Sequence, residues 1–427
     1  MHRSLRIDKY AVCRRLAASV VIAVLLLSAS IDAQGLSSAR SVAMGGAHIG
    51  LARGVDAARY NPANLGFADY QQTRLEIAGV GADIVNNTFT LEDYNSYTGS
   101  FLTSDDKDDI MSKIPKEGLK ISAEIEASAL GFSMGPFVVA TTGVGAAAVN
   151  LNRDIVDLVL NGNSLADTVR VDGSYSDAVG YATLGLSYGR PVLMLGGREL
   201  AVGATAKYIR GLGVERVVEA EGIATTYEYG FAGEGRLIAQ TAGGGHGFGL
   251  DLGAALRVSR DYMAGVSIRN VLSTIRWSKQ PEEHGYIFSF DTMTVDNSDN
   301  DELVVSDDYS RDISSFSTSL PSVMTLGFAK TSGSIVWAVD YVQGFRKEAA
   351  GASTKPRLSV GMQWLPVQMW PLRAGFCAGE NKSPSFSFGS GVKASAFYLD
   401  FAAVVGSSFS GYSSKGLNVA ISTGVIL

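Results

Sequence analysis

Two stretches set a serine between glycines at the spacing of a hydrolase nucleophile: Gly131-Phe132-Ser133-Met134-Gly135 and Gly185-Leu186-Ser187-Tyr188-Gly189. A serine in that motif reacts when it stands on a strand-to-helix turn with a histidine base in reach. Here proline follows within two residues in both places, no helical apolar period comes next, and the 427 residues hold 4 histidines. Strands that alternate small inward residues with large outward ones produce the same spacing without chemistry. A second candidate is ligation of a hard cation by Asp291, Asp296, Asp299, Asp301, Glu302, Asp307, Asp308 and Asp312, since such ions take oxygen ligands. The glycine that a calcium loop needs for its turn is missing, and a solvated loop is the better reading. His246, within Gly243-Gly244-Gly245-His246-Gly247, reads as an exposed loop tip. The chain has no G-x-G-x-x-G and no phosphate-binding loop. The expectation is a protein that is not an enzyme, with no catalytic residue, no metal site and no cofactor.

The elements that would position these residues are strands. Leu250, Leu252, Ala254, Leu256 and Val258 fall on one face, and Asp251, Gly253, Ala255, Arg257 and Ser259 on the other. A strand sends successive side chains to opposite sides, so this run has an oily face and a polar one. Only Arg260-Asp261 separates it from the next alternating run, Tyr262 to Arg269, which predicts a two-residue hairpin. The same period recurs at Leu200–Tyr208, Ile335–Tyr341, Leu358–Trp364, Leu372–Phe376 and Leu417–Leu427.

Composition narrows the class. Charged residues are 18%, against roughly 25% in soluble domains. With 36 Lys+Arg and 42 Asp+Glu, the chain lacks the basic excess of a nucleic-acid binder. Residues 1–33 are laid out as an export signal: Arg3, Arg6, Lys9, Arg14 and Arg15, then the apolar run Leu16–Leu27, then Ala33 at the cleavage position. Cleavage there would leave 31 basic and 40 acidic residues, a net charge of −9, and Cys377 as the sole cysteine, so no disulfide. After residue 33 no apolar run reaches the roughly 20 residues of a membrane helix. An exported chain with oily faces, no long oily run, Gly, Ser and Thr on the opposite face and aromatics at strand ends predicts an all-β fold. That fold is an antiparallel transmembrane barrel in a Gram-negative-type outer membrane, in contact with its lipid.

Connections supply a strand count. Short ones are expected at Met134–Pro136, Arg190–Arg198, Arg260–Asp261, Thr331–Gly333, Pro366–Trp370 and Ala394–Ser395. Long ones are expected at about 87–120, 151–177, 212–246, 271–320, 345–355, 380–384 and 406–415, with a short helix near Asp105–Lys113. Six short turns and seven outer loops require about 14 strands. Strand-like pieces inside 212–246 and 271–320 would raise the count to 16 if they crossed the membrane.

Residues 34–67 differ from the rest: rich in Gly and Ala, and broken by Asn61-Pro62. Ala39-Arg40-Ser41-Val42-Ala43-Met44-Gly45-Gly46-Ala47, followed by Asp56-Ala57-Ala58-Arg59-Tyr60-Asn61-Pro62-Ala63-Asn64-Leu65, resembles the N-terminal signature of FadL/TodX-like outer-membrane transporters and their PorV-like relatives. Leu320–Val323, Val339–Phe345 and Pro371–Phe376 are similar to stretches of FadL-like barrels. The resemblance implies a signal peptide (1–33), an N-terminal plug or hatch inside the lumen (34–67) and a 14-stranded barrel (68–427). The plug motif would be Arg40, Met44, Gly45, Gly46, His48, Asp56, Tyr60, Asn61 and Pro62. It further implies transport of small hydrophobic molecules, fatty-acid-like or aromatic. In PorV-like relatives the barrel is instead a structural or docking partner of a secretion or surface-assembly system.

Alternation places Lys207, Arg257, Arg269, Arg357, Arg373 and Lys393 on the inner face with Asp251, Asp340 and Asp400. Lys207, Arg257, Arg269 and Arg373 are candidate contacts for a ligand's acidic group or for plug residues such as Asp56. Arg40, Arg53 and Arg59 are the plug's candidate partners for lumenal carboxylates. Leu427 ends the chain where such barrels carry an aromatic.

Overall fold

The computed structural model describes residues 35–71, 73–294, 304–345, 353–379, 382–406 and 414–427. The expected export segment lies outside them. Fourteen antiparallel strands close on themselves. They are β1 (Arg74–Asn86), β2 (Leu119–Met134), β3 (Phe137–Leu151), β4 (Tyr175–Leu195), β5 (Arg198–Tyr227), β6 (Gly244–Arg257) and β7 (Tyr262–Arg269). There follow β8 (Val323–Ser332), β9 (Ile335–Gly344), β10 (Arg357–Val367), β11 (Trp370–Gly379), β12 (Lys382–Ala394), β13 (Phe397–Val405) and β14 (Gly416–Ile426). Each pairs with the next, and β14 pairs back onto β1 from Arg74↔Ile426 to Val85↔Gly416. Closure pairs the backbone groups that an open sheet would present to lipid, where an unpaired one costs several kcal/mol.

The period of two sorts the side chains as expected. Leu252, Leu256, Val339, Tyr341, Leu417 and Ile421 are exposed on the outer face, while Asp251, Ala255, Asp340 and Ser422 are buried on the inner one. Each Leu or Phe of the outer belt gains roughly 1.5–3 kcal/mol on leaving water for hydrocarbon.

Five turns are two residues long, at 135–136, 196–197, 333–334, 368–369 and 395–396. Two departures from the sequence reading are local. Arg190–Arg198 is mostly strand, because a register shift between Pro191 and Leu193 absorbs the proline and lets β4 run on to Leu195. β6 stops at Arg257, and a four-residue turn replaces the expected Arg260–Asp261 hairpin, with Val258 N–H donating to Tyr262 O at 3.0 Å.

The strand-like pieces of the long connections stay outside the wall, so the count is 14 and not 16. β5 has 30 residues, whereas spanning takes about 9–11. Its outer part pairs with Gly230–Ala242, which pairs with Glu282–Met293, which pairs with Val304–Asp312. The result is a β-ribbon standing beyond the barrel. Beside it lie the helices α1 (Leu91–Tyr97), α2 (Ser104–Lys113) and α3 (Arg153–Asn161). The first two open on capping boxes, Thr90 with Asp93 and Thr103 with Asp106, which satisfy first-turn N–H groups. Their apolar faces share a small core of Ile110, Met111 and Ile114 with Tyr97, Val156 and Leu160. Among the described residues no helix is long and apolar enough to cross a membrane.

Candidate functional site: the segment inside the barrel and the lumen above it

Residues 35–70 run inside the barrel, in the half nearer the short turns. A one-turn helix, Ala39–Ala43, leans on β12, β13 and β14. Met44 and Gly45 pass β10 and β11, His48 and Ile49 reach β9, and Val55–Tyr60 meets β1, β2 and β3. The tight turn Pro62–Gly66 lies on β4, β5 and β6. The segment thus touches the wall on every side. Met44, His48, Ile49, Asn61, Asn64 and Phe67 are wholly buried.

Inward glycines of the wall mark this path. A Cβ on Gly361 would strike Met44, one on Gly375 the Met44–Gly45 backbone, and one on Gly389 the Ala43 side chain. One on Gly327 would meet Ile49, one on Gly203 Pro62, and one on Gly253 Asn61. Absent side chains on the wall let the segment's backbone lie against it. The segment itself turns at Gly45 and Gly46, whose φ of 67° and 86° exclude most L-residues.

Polar contacts fix the register between segment and wall. One Asp340 oxygen accepts from the backbone N–H of His48 at 2.7 Å and of Ile49 at 2.9 Å. Arg59 bonds Glu76 of β1 with both terminal nitrogens, and Nη1 also reaches Asp56 at 3.2 Å. Glu76 accepts in addition from Ser128 of β2. His48 Nε2 lies 3.5 Å from Asp56, and the His48 and Tyr60 rings meet edge-on at 4.9 Å. Burial sets the Asp56 carboxyl against ionising, but the neighbouring His48 and Arg59 hold it well below its usual range. Burial pushes the His48 imidazole below its ordinary value, against the opposing pull of Asp56. Asn61 Nδ2 donates to Ala254 O of β6 at 3.1 Å, and its Oδ1 accepts from Ala63 N–H. Tyr60 donates its hydroxyl to Gly35 O at 3.0 Å, and Pro62 opens the turn that follows.

The expected lumenal cations divide. Lys207 pairs with Asp251 at 2.6 Å and with Asn270, both on the wall side. Arg373 pairs with Asp400 at 2.7 Å and with Gln363 at 3.0 Å, again within the wall. Arg257 reaches the inner segment, bonding Asp69 and stacking over Phe67 at 4.5 Å. Arg269 ends β7, opposite Val323 of β8. Asp56 stands within the field of Arg74, at the start of β1. Its partners are Arg59 and His48, because the Val55–Tyr60 helix puts Arg59 one turn away. Of the segment's arginines, Arg59 finds a wall carboxylate, Arg53 stacks on Tyr70 at 4.0 Å, and Arg40, its Nε lacking a hydrogen bond, feels the charges of Arg373, Arg53 and Arg74 with Asp400 of the wall opposing them.

The outer half of the lumen departs from the small, polar inner face read from the sequence. Val144, Ala146, Ala148, Tyr181, Ile209, Ile275, Trp277 and Leu320 form an apolar cluster there. Trp277 is fully buried and donates its indole N–H to Thr318 at 2.9 Å. β3 carried the overlooked signal, since FVVATTGVGAAAVNL is apolar on both faces. Trp277 lies in the short strand Thr274–Lys279, hidden inside what read as a loop. Near the mouth Phe101, Val159 and Leu165 are exposed, Phe101 at 94%.

Ser133 and Ser187 are wholly buried on inward strand positions, and Ser187 bonds Thr205 at 2.8 Å. No turn into a helix follows either. Of the acidic stretch, residues 295–303 lie outside the described residues. Among the described residues no group of three His, Cys, Asp or Glu is placed to hold a metal.

A family model described as of unknown function, DUF5723, matches residues 66–228. No curated protein matches the chain. Among solved structures the chain is similar to the toluene transporter TbuX of Ralstonia pickettii, at 13% identity and a TM-score of 0.54, over 92% of this chain and 99% of that one. It is similar to a ΔS2S3 mutant of TodX, a monoaromatic hydrocarbon channel of Pseudomonas putida, at 14% identity and a TM-score of 0.54, over 91% of this chain and 99% of that one. At this identity the likeness shows the fold: a closed FadL-type barrel of 14 strands with an N-terminal segment, an architecture of the outer membrane.

Proposed function

We propose that the barrel carries small hydrophobic molecules, fatty-acid-like or aromatic, across the outer membrane. The supporting observation is the order of surfaces along the lumen: exposed apolar side chains at the mouth, an apolar cluster below, then a tightly packed segment. An apolar solute gains by leaving water at each of the first two stages. The segment serves as a plug, and passage requires it to shift. That the similar TbuX and TodX are named for aromatic hydrocarbons favours the same substrate class.

The test is deletion of residues 35–67 from the full chain, followed by reconstitution in liposomes. Leakage of small sugars should rise, while selective, saturable uptake of a monoaromatic hydrocarbon should disappear. Unchanged selective uptake without the segment would refute the plug.

A second reading, docking for a secretion or surface-assembly partner, draws support from the ribbon of β5 with Gly230–Ala242, Glu282–Met293 and Val304–Asp312. It extends well past the membrane and ends in an exposed strand. Co-purification of a stoichiometric protein partner with no small hydrophobic ligand would favour it.

A further inference from the structure

One line of side chains crosses the outer face of six neighbouring strands. Ala127 of β2 faces Gly143 of β3, which faces Ala182 of β4, which faces Arg210 of β5. Arg210 faces His246 of β6, which faces Arg276 of the strand Thr274–Lys279. Directly opposed residues of antiparallel strands point to the same side, so the six form a single row: three small, then three basic. Arg210, His246 and Arg276 are all exposed.

The small residues floor a trough of about 410 Å³, bordered by Ala129, Leu184 and Tyr208. This lies within the range of small-molecule sites, roughly 300–1,000 Å³. The basic residues lack carboxylate partners among the described residues. Arg210 Nη1 reaches Gly245 O at 3.4 Å, and Arg276 donates to Ser315 Oγ through Nε at 3.2 Å and Nη2 at 3.0 Å. Both guanidinium groups keep further donors.

Depth in the membrane relates the two halves of the row. Ala127 is eight residues from the turn at Gly135, and Arg210 is thirteen from that at Gly197. At about 3.3 Å per residue and a tilt near 40°, these stand roughly 20 Å and 33 Å above the turns. An apolar belt is about 25 Å tall. The small residues therefore face hydrocarbon, and the basic ones stand at its outer edge, where phosphate groups lie.

We propose that this row binds one phosphorylated lipid of the outer leaflet, with an acyl chain in the trough and its phosphate on Arg210, His246 and Arg276. Charge complementarity at the edge and absent side chains below select a lipid over a free anion. The site faces away from the lumen and is independent of what the barrel transports.

The experiment uses the full chain in mild detergent micelles, titrated with lipid A, and counts bound lipid by native mass spectrometry. Diacylglycerol, which lacks phosphate, is the control lipid, and excess inorganic phosphate is the competitor. One lipid A should be retained per barrel, and little diacylglycerol. Joint Arg210→Gln, His246→Gln and Arg276→Gln should lower retention about tenfold or more, as expected for losing charge-assisted hydrogen bonds. Gly143→Leu, an outward change that lipid tolerates, should also lower retention by filling the trough. Heat-modifiable gel mobility checks that each variant is folded, and Arg210→Gln alone serves if the triple variant is not. Wild-type retention in the triple variant, or equal retention of diacylglycerol, would overturn the proposal. Full displacement by inorganic phosphate would show an anion site only and overturn the acyl trough.

Discussion

Arg59 and Glu76 form a two-point ion pair between the inner segment and the first strand, Nη1 to Oε2 at 2.8 Å and Nη2 to Oε1 at 2.5 Å. Both side chains are under 10% exposed. Removing one member of a buried pair costs about 3–5 kcal/mol, because the other charge is left without its counterion. Arg59→Ala should lower the midpoint of the heat-induced gel shift. Arg59→Met with Glu76→Gln should recover most of the loss. An unshifted midpoint in the single variant would remove this pair from the forces that hold the segment.

Asp340→Ala strips the acceptor from two buried backbone donors, His48 N–H and Ile49 N–H. Each unsatisfied group costs about 1–3 kcal/mol. Hydrogen exchange at residues 48 and 49 should quicken by at least tenfold, with the amides of β8 to β10 unchanged. Exchange that quickens equally across those strands would mean the contact supports the barrel and not the segment.

Gly375→Val places a side chain where the Met44–Gly45 backbone lies. On the wall side the new Cβ meets only the Ser387 hydroxyl, a side chain free to turn aside. The barrel should therefore form while the segment is displaced, and liposomes carrying the variant should swell faster in small sugars. Normal tightness to sugars would contradict the close packing of the two backbones.

Ile209→Gln introduces an amide into the apolar outer lumen, where a polar group without a partner costs about 1–3 kcal/mol. Saturable uptake of a monoaromatic hydrocarbon should fall by about tenfold, with the gel shift retained. Equal uptake would dissociate the cluster from the transport path.

Outside the membrane, burial opposes ionisation of Asp93, yet hydrogen bonds from Lys113 and Thr90 keep its carboxyl below the ordinary 3.8. A carboxyl lowered by folding contributes stability that is present above its unfolded value and lost as pH falls through the folded one. Amide protection in α1 and α2 should stay level from pH 7 to 5 and fall off below about pH 4. Loss already at pH 6 would point to a different titrating group.

The wall was legible because a strand's period is two and lipid enforces it on the outward face. Leu250–Arg257 and Leu417–Ile426 could be assigned by alternation alone. The boundary between wall and ribbon was not, since β5 keeps its strand character through 30 residues with nothing in the pattern to mark the edge of the membrane. The glycines of the inner face were visible as small residues, but their pairing with Met44, Ile49, Asn61 and Pro62 depends on how a non-repeating segment folds back across the lumen. Asp56 was legible only as a candidate partner for the wall's cations, and its pairing with Arg59 comes from a single helical turn of the segment that sequence did not mark. Trp277 escaped notice because its strand, Thr274–Lys279, is only six residues long, too short for its alternation of buried Ile275 and Trp277 with exposed Arg276 to stand out inside a long connection.

The inner segment binds both strands of the closing seam. Ala39 N–H donates to Ser422 of β14 at 3.3 Å, Arg59 takes Glu76 of β1, and Gly79 and Gly81 of β1 lie against the Ser37 and Leu36 carbonyls. The seam joins the first and last strands of the chain, so it is made after every other ladder has its strands. A segment gripped from both sides of that seam adds its own hydrogen bonds and ion pairs to the two strands that close the barrel. What fills the lumen is thus also a clasp laid across the join of the wall, and loosening it removes contacts from both strands of the closing ladder at once.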